Sequence, residues 1–425
     1  MKLNKFKKSL LLIVSIISIF GITSYNSQKY SSSVNINNSN IKDNNMLSMM
    51  LETSAGSGEY KETTASAWPT DGYEFNETLS KCEKGSSLSW DSTKNTVVMM
   101  GNNADKCYVY FNIKMPPLSD FIKSLYTNQG ENNLYLHDST LSNGANDNSY
   151  RYAGSSETTN NFVCFGYDST DGTCPTDYLY RIIGVFDNQV KLIKYDYAKS
   201  TLLGTDGDYL STYSGAGMSS STYGTSKGSN TKDEIGVYRR NTINQIMSSN
   251  IWSESRLNTI NLNTNYLSNI GTGWSKKIST HTWQVGGNTK YNIVAYVFST
   301  YQNEIATPAE ETSYDAKIGL MYVSDYGYAA SSNFWATYAL EYRTSGLSYS
   351  NTSVTNENWM YMGLSEWTIT RQSDDSNAAF YVYHTGYVPV NASYGDEAIR
   401  PVFYLNSNVT YVSGNGTKNE PFIIN

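Results

Sequence analysis

Leu179-Tyr-Arg-Ile-Ile-Gly-Val-Phe186, Asp187-Asn188-Gln189 and Val190-Lys-Leu-Ile-Lys-Tyr195 together carry the strongest structural signal in the chain. The first and last of these runs are apolar, β-branched and aromatic, and of strand length. Asp187-Asn188 between them suits a tight hairpin, because both residue types tolerate the positive φ that two-residue turns require. The pair anchors a domain expected over residues 161–425. Further strands are expected at Lys290 to Phe298, Lys317 to Val323, Trp367 to Thr370, Ala379 to Tyr383, Tyr387 to Val390 and Ile399 to Leu405, with a turn at Gly386. Two helical stripes precede most of them: Ile243, Ile246 and Met247, then Leu257, Ile260, Thr264 and Leu267, the second ending at Gly271. Gly204 to Ser229 reads as a long Gly/Ser/Thr/Tyr loop. Helices early and short antiparallel strands late define an α+β class.

Upstream, residues 115–160 read as a short helix and a polar loop. Leu118, Phe121, Ile122 and Leu125 recur at i, i+3, i+4 and i+7, with Pro116-Pro117 before them and Gly130 beyond. Residues 67–114 read as a small β module. Tyr73 and Phe75, then Leu88 and Trp90, alternate with polar residues; Thr96 to Met100 is a short apolar run, and Cys107 to Phe111 closes the module. Residues 25–66, dominated by Asn, Ser, Thr and Gly, are expected to be a flexible linker. Residues 1–24 hold Lys2, Lys5, Lys7 and Lys8 before an apolar run to Thr23, which reads as a signal peptide or an uncleaved signal anchor. The product is therefore expected to be exported, extracellular or on the outer face of the plasma membrane, touching membrane only through this N-terminal segment.

Cys82, Cys107, Cys164 and Cys174 fall as two sequence-local pairs with no zinc-like spacing, so disulfides are expected outside the cytosol, with free buried thiols as the alternative. Without residues 1–24 the chain keeps 27 basic against 38 acidic residues, a net charge of −11. That balance argues against nucleic acid as a partner. Charged residues make up only 16% of the chain while Tyr alone numbers 37, a surface suited to extracellular glycan or protein partners.

Cys82-Glu-Lys-Gly85, Trp90-Asp91 and Cys107-Tyr-Val-Tyr-Phe111 resemble a small module of uncharacterised exported proteins from low-GC Gram-positive bacteria. So do Ser149-Tyr-Arg-Tyr-Ala-Gly154, Phe162-Val-Cys-Phe-Gly166 and Leu179 to Phe186. Trp367-Thr-Ile-Thr370, Phe380-Tyr-Val382, Gly386 and Ile399-Arg-Pro-Val402 are similar to the C-terminal signature of a domain in such proteins, distantly similar to the C-type-lectin-like and formylglycine-generating-enzyme fold. The resemblance implies a recognition scaffold and no activity. Residues 175–425 contain no Cys for formylglycine chemistry, and Glu420-Pro421 is followed by Phe422 where a lectin calcium motif would need Asn.

Local candidates for chemistry have plainer structural readings. Gly224-Thr-Ser226-Lys-Gly228 matches a nucleophile elbow but lies in a loop, without the strand before it that the motif requires. His137, His281 and His384 are isolated, so no metal site is expected. Asp168, Asp171, Asp206 and Asp208 suit Asx-turns better than calcium loops. The pairs Asp374-Asp375 and Asp396-Glu397 are adjacent in sequence, which does not set two carboxyls across a cleft. Arg400, beside Pro401 in an apolar strand, is expected to pair with Asp396 or Glu397. Trp335, Trp359, Tyr361 and Trp367 could form a stacking face for a ligand, against the usual core role of Trp in β-rich domains. The expected function is non-catalytic recognition or adhesion at the cell surface, with no cofactor. A secreted glycan hydrolase using unassigned carboxylates, and an architectural surface subunit, are the alternatives.

Overall fold

The computed structural model describes residues 47–63, 67–69, 71–101, 105–169, 173–210, 223, 228–230, 234–240, 249–289, 296–308, 312–336, 355–393 and 395–425. The N-terminal segment 1–24, the Gly224-to-Lys227 motif and the stripe at Ile243, Ile246 and Met247 lie outside them. Mixed sheets with few helices (19% helical, 33% strand) place the chain in the α+β class. It divides into two units, residues 1–115 and 116–425.

The first unit is a sheet built around one strand. Its elements are β1 (Leu47–Glu52), β2 (Tyr60–Thr63), β3 (Tyr73–Phe75), β4 (Lys81–Cys82), β5 (Ser87–Asp91), β6 (Thr96–Met100) and β7 (Cys107–Ile113). β7 alternates Cys107, Val109 and Phe111 inward, as a half-buried strand must. It takes β1 in parallel on one side and β3 and β4 antiparallel on the other. Cys82 stands opposite Cys107 in that register, and the two form a disulfide. β5 and β6 form a separate hairpin whose Leu88, Val97 and Met99 complete the core with Met49.

Residues 47–63 correct the expectation of a linker over 25–66. Leu47-Ser-Met-Met-Leu51 is a short apolar run that the polar average of its neighbours conceals. As β1 it lies between β2 and β7 and contributes Met49 to the core.

The second unit holds two main sheets. Its strands are β8 (Leu134–Leu136), β9 (Tyr150–Tyr152), β10 (Phe162–Cys164), β11 (Leu179–Phe186), β12 (Gln189–Lys194), β13 (Tyr209–Leu210), β14 (Val237–Tyr238), β15 (His281–Gln284), β16 (Ser313–Ala316), β17 (Ile318–Gly319), β18 (Glu366–Arg371), β19 (Ala378–Val382), β20 (Val390–Ala392), β21 (Glu397–Ala398), β22 (Val402–Tyr404), β23 (Tyr411–Ser413) and β24 (Ile423–Ile424). A seven-stranded sheet runs β17-β22-β12-β11-β9-β8, with β10 also beside β11. A six-stranded sheet runs β13-β14-β21-β18-β19-β20. Asp187 and Asn188 join β11 to β12 at φ 46° and 66°, the conformation of a two-residue hairpin turn. Both strands are buried nearly throughout, so both of their faces are covered. The helix Leu118–Ser124 supplies part of that cover, burying Leu118 and Ile122 after Pro117.

Four expected strands differ, one of them Tyr387 to Val390, of which only Val390 lies in a strand, β20. Residues 290–295 lie outside the described residues, and Val297–Tyr301 is helical. Only Ile318–Gly319 of the Lys317-to-Val323 run is a strand before a helix begins at Val323. Ile399 to Leu405 is not one strand. Only Val402–Tyr404 of that run is a strand, β22 of the seven-stranded sheet, and it begins after Pro401, which lacks an N–H; β21 of the six-stranded sheet ends before the run, at Ala398. The polar loop expected before residue 160 contributes β8 and β9, and β9 pairs directly with β11.

Candidate functional site

All four cysteines are paired, Cys82 with Cys107 and Cys164 with Cys174. The expected partners of Arg400 are replaced by another. Its Nε and one terminal nitrogen donate to Glu366 at 2.7 and 2.6 Å, and that nitrogen also donates to the Met360 carbonyl at 2.6 Å. β18 runs parallel to β21 with Glu366 opposite Ala398, which sets this carboxylate beside the Arg400 strand end. Burial works against the guanidinium's charge, but Glu366 more than offsets it and holds Arg400 above its ordinary pKa. Glu397 instead accepts from Asn391 at 3.0 Å, and burial pushes its carboxyl up to about 8.

The expected aromatic face is core. Trp335, Trp359, Tyr361 and Trp367 are each at most 5% exposed. Each indole N–H is spent on a backbone carbonyl, of Ala330, Tyr152 and Tyr238 respectively. Trp359 has its ring face occupied by the Arg181 guanidinium at 4.7 Å, with Phe162 stacked on the same cation at 4.3 Å. No ligand can stack there without displacing a buried, fully hydrogen-bonded Arg.

The exposed aromatics are elsewhere. Tyr167 and Tyr178 are 38% and 39% exposed, with ring centroids 5.4 Å apart. Three local features hold them. The Cys164–Cys174 bridge closes the loop between β10 and β11, the Phe165 amide donates to the Tyr178 carbonyl at 2.9 Å, and Gly166 takes φ 94° so that the chain can turn beneath the rings. Tyr178 borders a cleft of about 280 Å³ with Asp177, Lys194, Lys199, Thr201 and Asn269. Lys194 is buried, donates to the Asp177 carbonyl at 2.7 Å, and is pulled down to about 8 by that burial. Lys199 pairs with the Asp177 carboxylate at 3.1 Å and approaches Glu234 at 3.8 Å. Lys199 is thus matched by carboxylates, while the Lys194 amine is held by a peptide carbonyl. Its other polar groups are amide, hydroxyl and peptide, beside an exposed pair of rings.

A second cleft of about 220 Å³ is lined by Arg151, Lys191, His281, Tyr301, Asp325 and Tyr404 among others. Lys191 sits among Phe186, Trp283, Tyr322 and Tyr404, its Nζ 4.8 to 5.7 Å from their centroids, and donates to Asp325 Oδ2 at 2.6 Å. Arg151 donates to Ser149 Oγ at 2.7 Å and to Asp147. Burial works to raise Asp147, yet Arg151 and Ser149 hold it at about 2. His281 stacks on Tyr404 at 3.7 Å and is pushed down to about 4 by burial, with Lys191 adding to the effect, so it is neutral at pH 7. Glu304 lies behind this cluster, where burial pushes it up to about 7, and both its oxygens are taken by Ser324 and Thr370.

Among the described residues no group of three or more His, Cys, Asp or Glu converges as metal ligands would. Asp206 receives Asn265 at 2.6 Å, and Asp375 caps the turn at Asn377; Asp171 lies outside the described residues. No family model, curated protein or solved structure matches the chain.

Neither cleft was singled out from the residues alone. Two signals pointed there. Tyr167 lies within, and Tyr178 just beyond, a short Cys-closed loop of turn residues with no apolar period. Lys191 is a charge between Val190 and Leu192 in a buried strand, and burial of such a charge demands a partner.

Proposed function

We propose that this is an exported, surface-associated recognition protein that binds glycan without catalysis, through the cleft beside Tyr167 and Tyr178. The exposed tyrosine pair, pinned by a disulfide next to a polar cleft, is the observation that carries the reading. Sugars offer weakly polar C–H faces to aromatic rings and hydroxyls to amide and peptide groups, while carrying no charge to be matched. The two disulfides suit an oxidising compartment, as export through the 1–24 segment would provide. A C-type-lectin-like scaffold for residues 161–425, and kinship with exported proteins of low-GC Gram-positive bacteria, belong to the same proposal.

The test is binding of the full chain to an array of neutral and charged glycans, repeated with Tyr178→Ala and Tyr167→Ala. Neutral glycans should bind, and each variant should weaken them about tenfold, equivalent to ~1.4 kcal/mol. Retention of protein partners only, or glycan binding indifferent to both tyrosines, would refute the reading.

A further inference from the structure

We infer that the cleft between Arg151 and Asp325 is a second binding site, for a neutral hydroxyl-bearing ligand the size of a single sugar ring. The assignment starts from two unfinished hydrogen bonds. Arg151 and Asp325 are each 2% exposed. Arg151 spends Nε on Ser149 and one terminal nitrogen on Asp147, but its Nη1 has no hydrogen-bond partner. Asp325 takes Lys191 and the Tyr322 amide on Oδ2, and its Oδ1 has none. These two atoms lie 4.0 Å apart, beyond hydrogen-bond reach of each other, in residues that line the same cleft. A buried charged group left short of a partner is costly, so a group that completes it gains. A hydroxyl accepts from a guanidinium and donates to a carboxylate at once. A carboxylate only accepts, an ammonium only donates, and an apolar group does neither.

Charge narrows the class. The buried charges pair off, Arg151 with Asp147 and Lys191 with Asp325, and the exposed Asp187 is the one lining charge outside these pairs. An anion entering would meet Asp147, Asp187 and Asp325; a cation would meet Arg151 and Lys191. The aromatic box that could hold an ammonium group already holds the Lys191 amine. Size narrows it further, since about 220 Å³ falls below the roughly 300–1,000 Å³ of drug-sized sites. The rings of Tyr301 and Tyr404 line the cleft but already carry Arg151 at 5.1 Å and His281 at 3.7 Å, so recognition rests on the two open polar atoms. The site shares no lining residue with the tyrosine cleft, and its assignment does not rest on that reading.

Calorimetry and saturation-transfer NMR on the full chain would test it with free neutral monosaccharides, oligosaccharides ending in the same sugars, and the matching sugar acids and amino sugars. Neutral probes should bind at least tenfold more tightly than the charged ones. Arg151→Lys keeps the charge but loses the fork, and should weaken binding at least tenfold. Ile305→Trp, on the cleft wall, should block it by volume and serves as the second variant if Arg151→Lys fails to fold. Tyr178→Ala should leave it unchanged. Binding by the free sugar identifies a soluble ligand, and binding by the oligosaccharide alone identifies a chain end. Absence of binding by every neutral probe, leaving ordered water as the only occupant, overturns the inference, as does binding that survives both Arg151→Lys and Ile305→Trp.

Discussion

Glu366→Gln is the substitution with the largest calculable consequence. It removes the carboxylate that receives two of the buried Arg400 donors, at 2.7 and 2.6 Å, in a pair whose side chains are each about 1% exposed. The Gln carbonyl oxygen and the Met360 carbonyl would still accept from the cation, but one of the two side-chain acceptors becomes an NH2 donor and no negative charge would compensate the guanidinium. Leaving one member of a buried pair uncompensated costs about 3–5 kcal/mol, a large share of an ordinary domain's stability. Urea unfolding followed by Trp fluorescence would read this loss as a lower midpoint at constant slope, with Trp367 adjacent as a reporter. Glu397→Gln is the control, because that carboxyl is held protonated at neutral pH by burial, and an amide mimics its neutral form. Its effect should stay within about 0.5 kcal/mol. Glu366→Leu combined with Arg400→Met should recover most of the loss, since an apolar pair carries no desolvation cost. A Glu366→Gln loss under about 1 kcal/mol, or an equal loss from Glu397→Gln, would refute the pairing and its energetics.

Further outcomes follow from the same structure. Glu304 and Glu397 bind protons more tightly when folded, at about 7 and 8, than unfolded. Their contribution is therefore complete below about pH 4.5 and is lost as pH rises through 7 and 8, by about 3 kcal/mol for Glu304. Glu304→Gln should flatten that alkaline decline, and denaturation midpoints from pH 5 to 9 check it. Serine at Cys82 and Cys107 should cost about 3.5 kcal/mol from the opened loop, against about 2.7 at Cys164 and Cys174. Unfolding of the two serine pairs separates these values. Gly386→Ala should destabilise by about 1–3 kcal/mol, because φ is 95° there and a Cβ would meet Thr355 Cγ2 at 2.2 Å. Thermal unfolding of that variant measures the loss.

Local signals in the residues proved reliable where local physics decides. Asp187-Asn188 specified its turn, β7 showed its inward face, and the Leu118 stripe marked a helix. Signals failed where partners distant in sequence decide. Arg400 found Glu366, thirty-four residues away, because parallel pairing of β18 with β21 outranks proximity along the chain. The Trp residues went to the core because each indole could satisfy its N–H on buried backbone. β1 was concealed by the Asn- and Ser-rich composition around it. The charged cleft draws Arg151, Lys191 and Asp325 from three separate elements, a convergence that only the folded topology creates.

Export is the premise on which the glycan reading stands, and the state of the thiols tests it most directly. Protein recovered from the medium and cell envelope of producing cells would be denatured without reductant, alkylated and weighed. The account predicts no adduct before reduction and four after, with peptides linking Cys82 to Cys107 and Cys164 to Cys174. Alkylated cysteines before reduction, in material found inside the cells, would contradict it.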